Sequence, residues 1–557
     1  MNDSALWLVL HKMKVPFLAI VISYTISIVG LLLIDGVDSY GNIYHMSIFD
    51  AFYFVTYTAS TIGFGEYPFE FTYQQRLWVS AMIYVSVVSW FYAIGTLISL
   101  LQDKLFISQI KQYRFKKQVG KLKQKFIIVL GYNYITSEII KIINDSDFRV
   151  VVIENDKDKV DNLILENFTP HVPVLRANSY DSQNLELSGV KSMFCKALVT
   201  LYKDDELNLR IAVAAKMLNS NIIIAAKSTT KNHTENLKDL DVEIVENPFK
   251  IIASQINLAL MAPNILKLER WIYQIGKLND SLPTLPQGRY IICGFGRFGQ
   301  EIYKVFKANN IKAVFIEIKE TKKRANKDII FGNSDDKHIL KDAGIDKSVA
   351  IIAGTQDDTT NISILRTAKK LNKDIVTIAR ENHIEDFSIF KNADIDEIFM
   401  PSKILINKTT NALIKPSADK FIKYMRTQDE EWGQSLVKKL VQDIDENPSI
   451  YLLHLVEKRA IAILNKLKTT TLKLSIFKTS LSNNNLANNI IVLMIYNSST
   501  KKEIVLPPWD TNIEKDDKIL FACDDYSINE IEYIANNVFE LHYAMTGQEK
   551  RYLSFKF

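Results

Sequence analysis

Two long uncharged runs near the start of this 557-residue chain constrain its fold more than any other feature of the sequence. Residues 15–34 contain no charged side chain, and residues 77–102 form a second, longer run. At about 1.5 Å of rise per residue, twenty helical residues span a hydrocarbon core of roughly 30 Å. A cleaved signal peptide is the alternative for the first run, but no A-x-A-like cleavage site follows it. We therefore predict two membrane-spanning helices followed by a long soluble part.

Basic residues next to the two runs predict how the helices are oriented. Lys12 and Lys14 precede the first run, and residues 104–125 carry eight lysines and arginines after the second. The loop between the runs is acidic, with Arg76 at its far end. Both termini are therefore expected in the cytoplasm. The basic stretch also explains most of the net charge of +5, so no nucleic-acid partner is predicted.

The segment between the runs is too apolar for an ordinary external loop. Residues 46–60 are rich in aromatic side chains and long enough for a helix through half of a membrane, and the sequence TIGFG follows them. Irregular backbone at membrane depth occurs only where protein buries it or where it lines a watery path. Gly63 and Gly65 adopt positive φ at little cost, so successive carbonyl groups can point the same way. A column of such carbonyls can replace the water shell of a cation.

The five residues after the half-helix resemble the selectivity filter of potassium channels, and they are Thr61, Ile62, Gly63, Phe64 and Gly65. The order of span, half-helix, filter and span carries this resemblance; a re-entrant loop is the alternative. It implies a homotetramer that conducts potassium through a bacterial inner membrane. Phe64 and Glu66 stand where tyrosine and aspartate are commoner, and both variants fit the family pattern.

One glycine near the cytoplasmic end of the second run is a candidate for the gate. This residue, Gly95, allows either a bend or a close helix contact. Related channels often carry another glycine where this chain has Ala93, so a sharp hinge is in doubt. The first run has no ladder of arginines, and voltage gating therefore lacks a visible charge carrier.

Beyond the basic stretch the chain repeats a pattern of strand, glycine turn, helix and strand. Glu317 follows Gly294 by 23 positions, and Glu154 follows Gly131 at the same spacing. Alternating strands and helices predict a doubly wound parallel sheet in each copy, with ligands at the carboxyl ends of the strands. We predict a multi-domain fold: an α-helical two-span tetrameric pore, two α/β Rossmann-like domains and a C-terminal α+β lobe.

Both copies resemble RCK domains, the regulators of potassium conductance, and two of them in one chain resemble the GsuK type of channel. This resemblance implies a ring of eight RCK domains in a tetramer. Helices that begin at Pro248 and Pro401 are candidates for the crossover helices that clasp a neighbouring domain. The predicted domains are the pore (1–103), a linker (104–124), the first RCK domain (125–287), the second RCK domain with its crossover helix (288–445) and the C-terminal lobe (446–557).

The second copy carries a complete G-x-G-x-x-G motif between its first strand and helix. The predicted nucleotide-binding residues are Gly294, Gly296, Arg297, Gly299 and Glu317. Backbone N–H groups at the helix start can bind a pyrophosphate, and Glu317 can accept a hydrogen bond from a ribose. The first copy has Asn133 and Thr136 at the second and third glycine positions, where they would crowd a ligand. NAD(H) or an adenine nucleotide is therefore expected mainly in the second copy; the alternative is that the glycines only pack helix on strand.

Calcium is a further candidate ligand, since members of the RCK family respond to calcium, nucleotides or NAD-type dinucleotides. Three acidic pairs lie near predicted strand ends, namely Asp204–Asp205, Asp335–Asp336 and Asp357–Asp358. The first and third pairs supply the predicted metal ligands, because carboxylate oxygens suit calcium. The alternative is that all of these acids cap helices or face solvent.

A ligand-gated potassium channel is the function that these patterns favour. A membrane-anchored NAD-dependent oxidoreductase is an alternative from another class, but the strand ends near the glycine loop carry no convincing Lys/Tyr or His/Asp arrangement. We therefore predict that the chain is not an enzyme. A regulatory component of a potassium transporter is the third candidate, although such components normally lack a pore of their own.

Overall fold

The computed structural model describes residues 5–65, 69–281, 285–318, 328–382, 389–390, 392–483, 486–497 and 499–549, so Glu66 of the filter-like segment lies outside the described residues. The chain divides into two compact units. One ends at Lys121 and also includes Leu187–Gly189; the other begins at Leu122 and holds the rest of the chain.

The first unit consists mainly of helices. Its elements are α1 (Ala5–Leu33), β1 (Gly36–Val37), β2 (Ile43–Tyr44), α2 (Ile48–Ala59), α3 (Tyr73–Gln102) and α4 (Lys104–Gly120). Helices α1 and α3 are long and apolar enough to cross a membrane, and α2 forms where the half-helix was predicted. Many apolar side chains of α1 and α3 point outward, among them Val15 and Leu77. Such surfaces suit lipid or further copies of the chain. The helix α4 occupies the predicted linker, for which no helix was foreseen.

Gly30 of α1 allows α3 to approach closely. A Cβ atom at Gly30 would lie 2.0 Å from the indole ring of Trp78, whose Nε1–H donates a hydrogen bond to the carbonyl of Ser27 at 3.2 Å. We expect Gly30→Ala to displace that ring and to lower the thermal midpoint of the detergent-solubilised protein by several degrees, because overpacking of this kind costs about 1–3 kcal/mol. Gly95→Ala is the matched control, since a Cβ there meets nothing within 4 Å. Equal midpoints for the two variants would contradict the prediction.

The second unit begins with the first of the two repeated domains. Its elements are β3 (Phe126–Leu130), α5 (Tyr134–Asn144), β4 (Arg149–Glu154), α6 (Lys157–Leu165), β5 (Val174–Arg176), α7 (Ser182–Leu187), β6 (Cys195–Thr200), α8 (Asp205–Leu218), β7 (Ile223–Lys227), α9 (Lys231–Asp239) and β8 (Ile244–Glu246). The six strands form a parallel sheet in the order β5-β4-β3-β6-β7-β8. This order, in which the chain reverses beside its first strand, is that of the Rossmann fold.

The second repeated domain follows the helices α10 (Pro248–Met261) and α11 (Pro263–Ile272). Its elements are β9 (Arg289–Cys293), α12 (Arg297–Ala308), β10 (Lys312–Glu317), β11 (Ile329–Phe331), α13 (Lys337–Asp342), β12 (Ala350–Ala353), α14 (Asp358–Leu371), β13 (Val376–Arg380), β14 (Glu397–Phe399) and α15 (Pro401–Ile414). The strands again form a parallel sheet, in the equivalent order β11-β10-β9-β12-β13-β14. The predicted pair of doubly wound sheets is therefore confirmed.

The helices that begin at Pro248 and Pro401 exchange places between the two copies. Helix α10, which follows the first sheet, packs on α12 of the second copy. Helix α15, which follows the second sheet, packs on α5 of the first copy. Lys408 of α15 also forms an ion pair with the buried Glu246 at 2.7 Å. Each copy thus contributes one helix that packs against the other copy.

Two helices, α16 (Pro416–Met425) and α17 (Glu430–Asp443), and a C-terminal lobe complete the second unit. The elements of the lobe are β15 (Ser449–His454), α18 (Ile461–Leu467), β16 (Leu472–Lys473), β17 (Ile490–Asn497), β18 (Lys502–Val505), β19 (Asn512–Ile513), β20 (Lys518–Cys523), α19 (Asp525–Asn536) and α20 (Val538–Thr546). An antiparallel sheet of order β15-β20-β17-β18 forms its centre. Arg426, at the end of α16, donates to both oxygens of the buried Glu269 of α11 at 2.7 and 2.9 Å. The predicted α+β lobe is confirmed.

Candidate functional site

The glycine turn of the second copy shows why each of its glycines is needed. Gly294 adopts a φ of +96°, and a Cβ there would lie 3.3 Å from the carbonyl oxygen of Gly354. A Cβ on Gly299 would come within 2.2 Å of the carbonyl oxygen of Gly294, so this glycine lets α12 start directly against the turn. Gly296 differs from both, because a Cβ there would meet nothing within 4 Å. Two of the glycines therefore serve packing, and the third leaves open space at the helix start.

The first turn of α12 faces a cavity and has no side-chain cap. Gly296 is the N-cap residue, and it offers no side chain to accept a hydrogen bond from the first N–H groups. A cavity of about 510 Å³ lies at this position, and its walls include Phe249, Arg297, Glu317, Ser334, Thr355 and Arg380. Unpaired N–H groups at a helix start attract anions, since the helix dipole adds to their partial positive charge. The geometry therefore suits a negatively charged ligand.

Two arginines add positive charge to this cavity. The guanidinium groups of Arg297 and Arg380 lie 5.3 and 4.9 Å from the ring centroid of Phe249. Burial lowers the pKa of Arg380 to about 10, so the side chain is still charged at neutral pH, and its Nε atom has no hydrogen-bond partner. Asp358 is the carboxylate that acts on Arg380: its charge raises the pKa of that guanidinium group, although the opposite effect of burial is larger. An anionic ligand would add negative charge opposite the two guanidinium groups.

Glu317, the predicted ribose ligand, lines the cavity but also holds the glycine turn. Its Oε2 accepts a hydrogen bond from the N–H of Phe295 at 2.7 Å, and its Oε1 accepts one from Ile318 at 3.0 Å. Glu154 makes the same contact in the first copy, where it accepts from Tyr132 at 2.6 Å. The shared acid therefore stabilises the turn in both copies. Its role toward a ribose stays a prediction.

The first copy closes the equivalent place with its own side chains. Asn133 caps α5 by accepting from the N–H of Thr136 at 3.1 Å, and the Thr136 hydroxyl accepts from Asn133 at 2.8 Å. The ring of Tyr202 lies against the turn, 2.8 Å from where a Cβ of Gly131 would stand, and its hydroxyl bonds to Ser179 at 2.7 Å. Asn133 and Thr136 were predicted to crowd a ligand; the structure adds that they satisfy the helix start themselves.

The filter-like segment has a backbone that is neither helix nor strand. The N–H groups of Ile62 and Gly63 both donate to the carbonyl of Tyr57, at 2.9 and 3.2 Å. These two bonds hold the start of the segment against the last turn of α2. Positive φ angles occur at alternate residues: 61° at Thr61, 64° at Gly63 and 72° at Gly65. The positive φ angles of Gly63 and Gly65 are those that the glycine spacing predicted, and the alignment of successive carbonyl groups stays a prediction. Thr61 holds an angle that glycine adopts more easily.

The remaining pore residues take different positions in the first unit. The side chains of Ile62 and Phe64 are more than half exposed in the single chain. The ring of Phe64 lies edge-on to Tyr57, with centroids 6.3 Å apart. Ala93 is buried within the unit, whereas Gly95 faces outward. The roles of these residues in a filter and a gate stay predictions.

Comparisons with known proteins agree with this architecture. The family model described as "Ion channel" matches residues 17–103, and the model described as "TrkA-N domain" matches residues 127–248 and 290–401. This chain therefore combines an ion-channel region with two TrkA-N domains. The channel interpretation is thereby confirmed at the level of the family.

Relatives of this channel include proteins named as potassium channels. Potassium channel protein 1 of Methanocaldococcus jannaschii is 22% identical over 46% of the channel and 73% of its own length. The probable potassium channel protein 2 of the same organism is 28% identical over 32% of the channel and 54% of its length. An uncharacterised protein of Methanothermus fervidus is 26% identical over 44% of the channel and 37% of its length. The channel thus matches between 37% and 73% of the length of these relatives.

Two solved structures share the fold over almost the whole channel. The GsuK channel has a TM-score of 0.50 and 14% identity, with coverage of 98% of this channel and 100% of that chain. The GsuK channel bound to NAD has the same TM-score and 15% identity, with coverage of 94% and 98%. At this identity the likeness concerns the fold. Since the two Methanocaldococcus jannaschii relatives are named as potassium channels, the prediction that this chain is not an enzyme is confirmed.

The acidic pairs of this channel serve the helices that they begin. Asp204 accepts from the N–H of Glu206 at 2.9 Å, and Asp357 accepts from that of Thr360 at 2.7 Å, so both are N-caps. The next residue in each pair accepts hydrogen bonds from the loop after the following strand: Asp205 holds Thr229 and Thr230, and Asp358 holds Asn382. Among the described residues no group of three or more His, Cys, Asp or Glu side chains forms a metal site. The calcium interpretation of these pairs therefore has no support from the geometry, and the cap interpretation accounts for them.

Among the cavity residues that sequence reasoning missed, Phe249 and Arg380 come from outside the glycine turn. Phe249 is the second residue of α10 and reaches the second copy only because the crossover helices exchange places. Arg380 ends β13, and Lys227 ends the equivalent strand of the first copy, 153 positions earlier. This recurrence of a basic residue at a strand end was visible in the sequence. It would have indicated that the carboxyl edge of each sheet carries positive charge.

Proposed function

We propose that this channel conducts potassium selectively and that an adenine nucleotide or an NAD-type dinucleotide, bound in the second copy, changes its opening. The observation that carries the proposal is the uncapped start of α12 beside Arg297 and Arg380, in a chain that also holds a filter-like segment. Four chains would form one pore, in the inner membrane of a bacterial cell with the RCK domains in the cytoplasm. Eight RCK domains would then form a ring beneath the pore.

A nucleotide that carries two phosphates suits the cavity by charge and by size. The helix start offers N–H donors, and the two guanidinium groups supply positive charge. A volume of about 510 Å³ lies within the range of small-molecule sites. Glu317 stands at the end of β10, where an acid can accept from a ribose hydroxyl. The NAD-bound structure of the GsuK channel supports a ligand of this class.

Potassium is the ion that the filter-like segment, residues 61–65, suits best. The alternation of positive φ at Thr61, Gly63 and Gly65 supports one column of carbonyl groups per chain, and four such columns would enclose a cation. The carboxyl end of α2 precedes this segment, and its negative dipole end favours a cation nearby. The names of the Methanocaldococcus jannaschii relatives support the same ion.

Gating requires that the ligand bind more tightly to one shape of the ring than to another. Helix α4 connects the second membrane-spanning helix, α3, to the first sheet. It would transmit the change in the ring to α3. A nucleotide with equal affinity for both shapes would change nothing, however tightly it bound.

Bilayer recording of the purified full-length protein tests the proposed function. Potassium current should reverse near the potassium equilibrium potential in a potassium–sodium gradient, and barium should block it. ADP, NAD⁺, NADH and calcium are titrated separately on the cytoplasmic side, and a nucleotide should change the open probability. Current that does not distinguish potassium from sodium would contradict the filter. A response to calcium but to no nucleotide would place the regulatory site elsewhere. Turnover of NADH by the purified protein would favour the oxidoreductase alternative.

A further inference from the structure

Arg297 makes a contact that leaves its own copy. Its Nη1 donates a hydrogen bond to the side-chain oxygen of Thr229, which lies in the loop after β7 of the first copy. Thr229 is not among the residues that line the cavity, whereas Arg297 is. A side chain of the first copy therefore stands behind a cavity residue of the second.

Thr229 is itself held in a defined orientation. Its N–H and its hydroxyl both donate to Oδ2 of Asp205, at 2.8 and 3.0 Å, and the N–H of Thr230 donates to the same oxygen at 2.9 Å. Because the hydroxyl hydrogen points to Asp205, the lone pairs of the Thr229 oxygen are available to accept from Arg297. Asp205 is buried at the start of α8. A chain of hydrogen bonds thus runs from α8 of the first copy to the cavity of the second.

This chain of bonds constrains an otherwise flexible side chain. A free arginine loses considerable rotamer entropy when it binds a phosphate, and a held arginine loses less. The guanidinium group has five N–H donors, so a bond to Thr229 leaves others for a ligand. The first copy has Tyr134 where the second has Arg297, so it offers no guanidinium group at the equivalent position.

We propose that Thr229 is a positioning residue for the nucleotide site of the second copy, and that the Asp205–Thr229–Arg297 chain couples this site to the first copy. The inference rests on the proposed function, because it assumes an anionic nucleotide in the cavity. The first copy then contributes to affinity without a ligand of its own. A movement of the loop that holds Thr229 would change the affinity of the second copy, and by reciprocity a bound nucleotide would restrain that loop.

Titration of the full-length protein with ADP by calorimetry tests this inference. We expect Thr229→Val to weaken ADP binding about tenfold, because a hydrogen bond to a charged group is lost. Thr229→Ser keeps the hydroxyl and should restore affinity close to that of the wild type. Thr230→Val is the matched control, since the hydroxyl of Thr230 bonds to His233 rather than to Arg297. In a protein that already carries Arg297→Ala, Thr229→Val should have no further effect on the affinity.

The outcomes separate this inference from the proposed function. If the wild-type protein binds neither ADP nor NAD⁺, the proposed function and this inference are both wrong. If the wild type binds ADP and Thr229→Val binds it equally well, the inference alone is wrong. The same conclusion follows if Thr229→Val weakens binding as strongly in the Arg297→Ala protein as in the wild type, because the effect would then come from general damage to the fold.

Discussion

Replacing Gly63 or Gly65 by alanine is expected to reduce potassium current at least a hundredfold. Both glycines hold positive φ angles, 64° and 72°, which an alanine adopts only at a cost of roughly 1–2 kcal/mol. The larger effect is expected in the proposed tetramer, where four added methyl groups would enter one ring and turn the carbonyl groups away from the ion. Single-channel recording of each variant, together with ADP titration of the same preparation, measures this. ADP affinity should equal that of the wild type, since the substitution lies in the other unit of the chain.

The matched control for this experiment is Gly41→Ala. Gly41 has a φ of +86°, and a Cβ there would meet nothing within 4 Å, so it shares the conformation of the filter glycines. It lies in the turn between β1 and β2 rather than in the filter-like segment. Gly41→Ala should therefore retain most of the current. Normal conduction by Gly63→Ala and Gly65→Ala would show that the filter lies elsewhere, and a complete loss with Gly41→Ala would attribute the effect to positive φ alone.

Replacing Gly296 by asparagine is expected to weaken ADP binding at least a hundredfold without unfolding the protein. The substitution gives α12 the residue that caps α5 in the first copy, where Asn133 accepts from Thr136 at 3.1 Å. An asparagine at Gly296 would satisfy the helix start from within and place its side chain where the cavity now opens. An N-cap side chain also contributes about 0.5–2 kcal/mol to helix stability, so the thermal midpoint should stay the same or rise. Calorimetric titration with ADP and a thermal melt of the same sample check both parts.

The reverse substitution, Asn133→Gly, serves as the control. It removes the cap of the first copy, and a few tenths of a kcal/mol of stability are expected to be lost. ADP affinity should not change, because Tyr202 still lies on the turn of that copy. Loss of ADP binding in Asn133→Gly, with normal binding in Gly296→Asn, would move the nucleotide site to the first copy.

The parts of the fold that could be predicted from the sequence are those encoded by patterns within a short segment of the chain. Uncharged runs of helical length and alternating buried strands and helices are visible within twenty or thirty residues. The two spans and both parallel sheets were therefore predictable. The basic residues of 104–124 showed no such pattern, and the helix α4 was consequently described only as a linker.

The parts of the site that were missed come from distant segments. Phe249 and Thr229 reach Arg297 through the packing of one copy on the other, which no local spacing encodes. The acidic pairs illustrate a different limit. A carboxylate before a helix can cap that helix or bind a metal, and the choice depends on neighbours such as Asn382 that are 24 positions away.

Because Asn133 and Tyr202 close the first copy, they limit the number of nucleotides that one tetramer could bind. A tetramer of this chain would contain eight Rossmann sheets but four open helix starts. ADP should therefore saturate at four equivalents per tetramer, and the Hill coefficient for its binding could not exceed four. The other four sheets would transmit the movement of the ring to the pore without binding a nucleotide themselves.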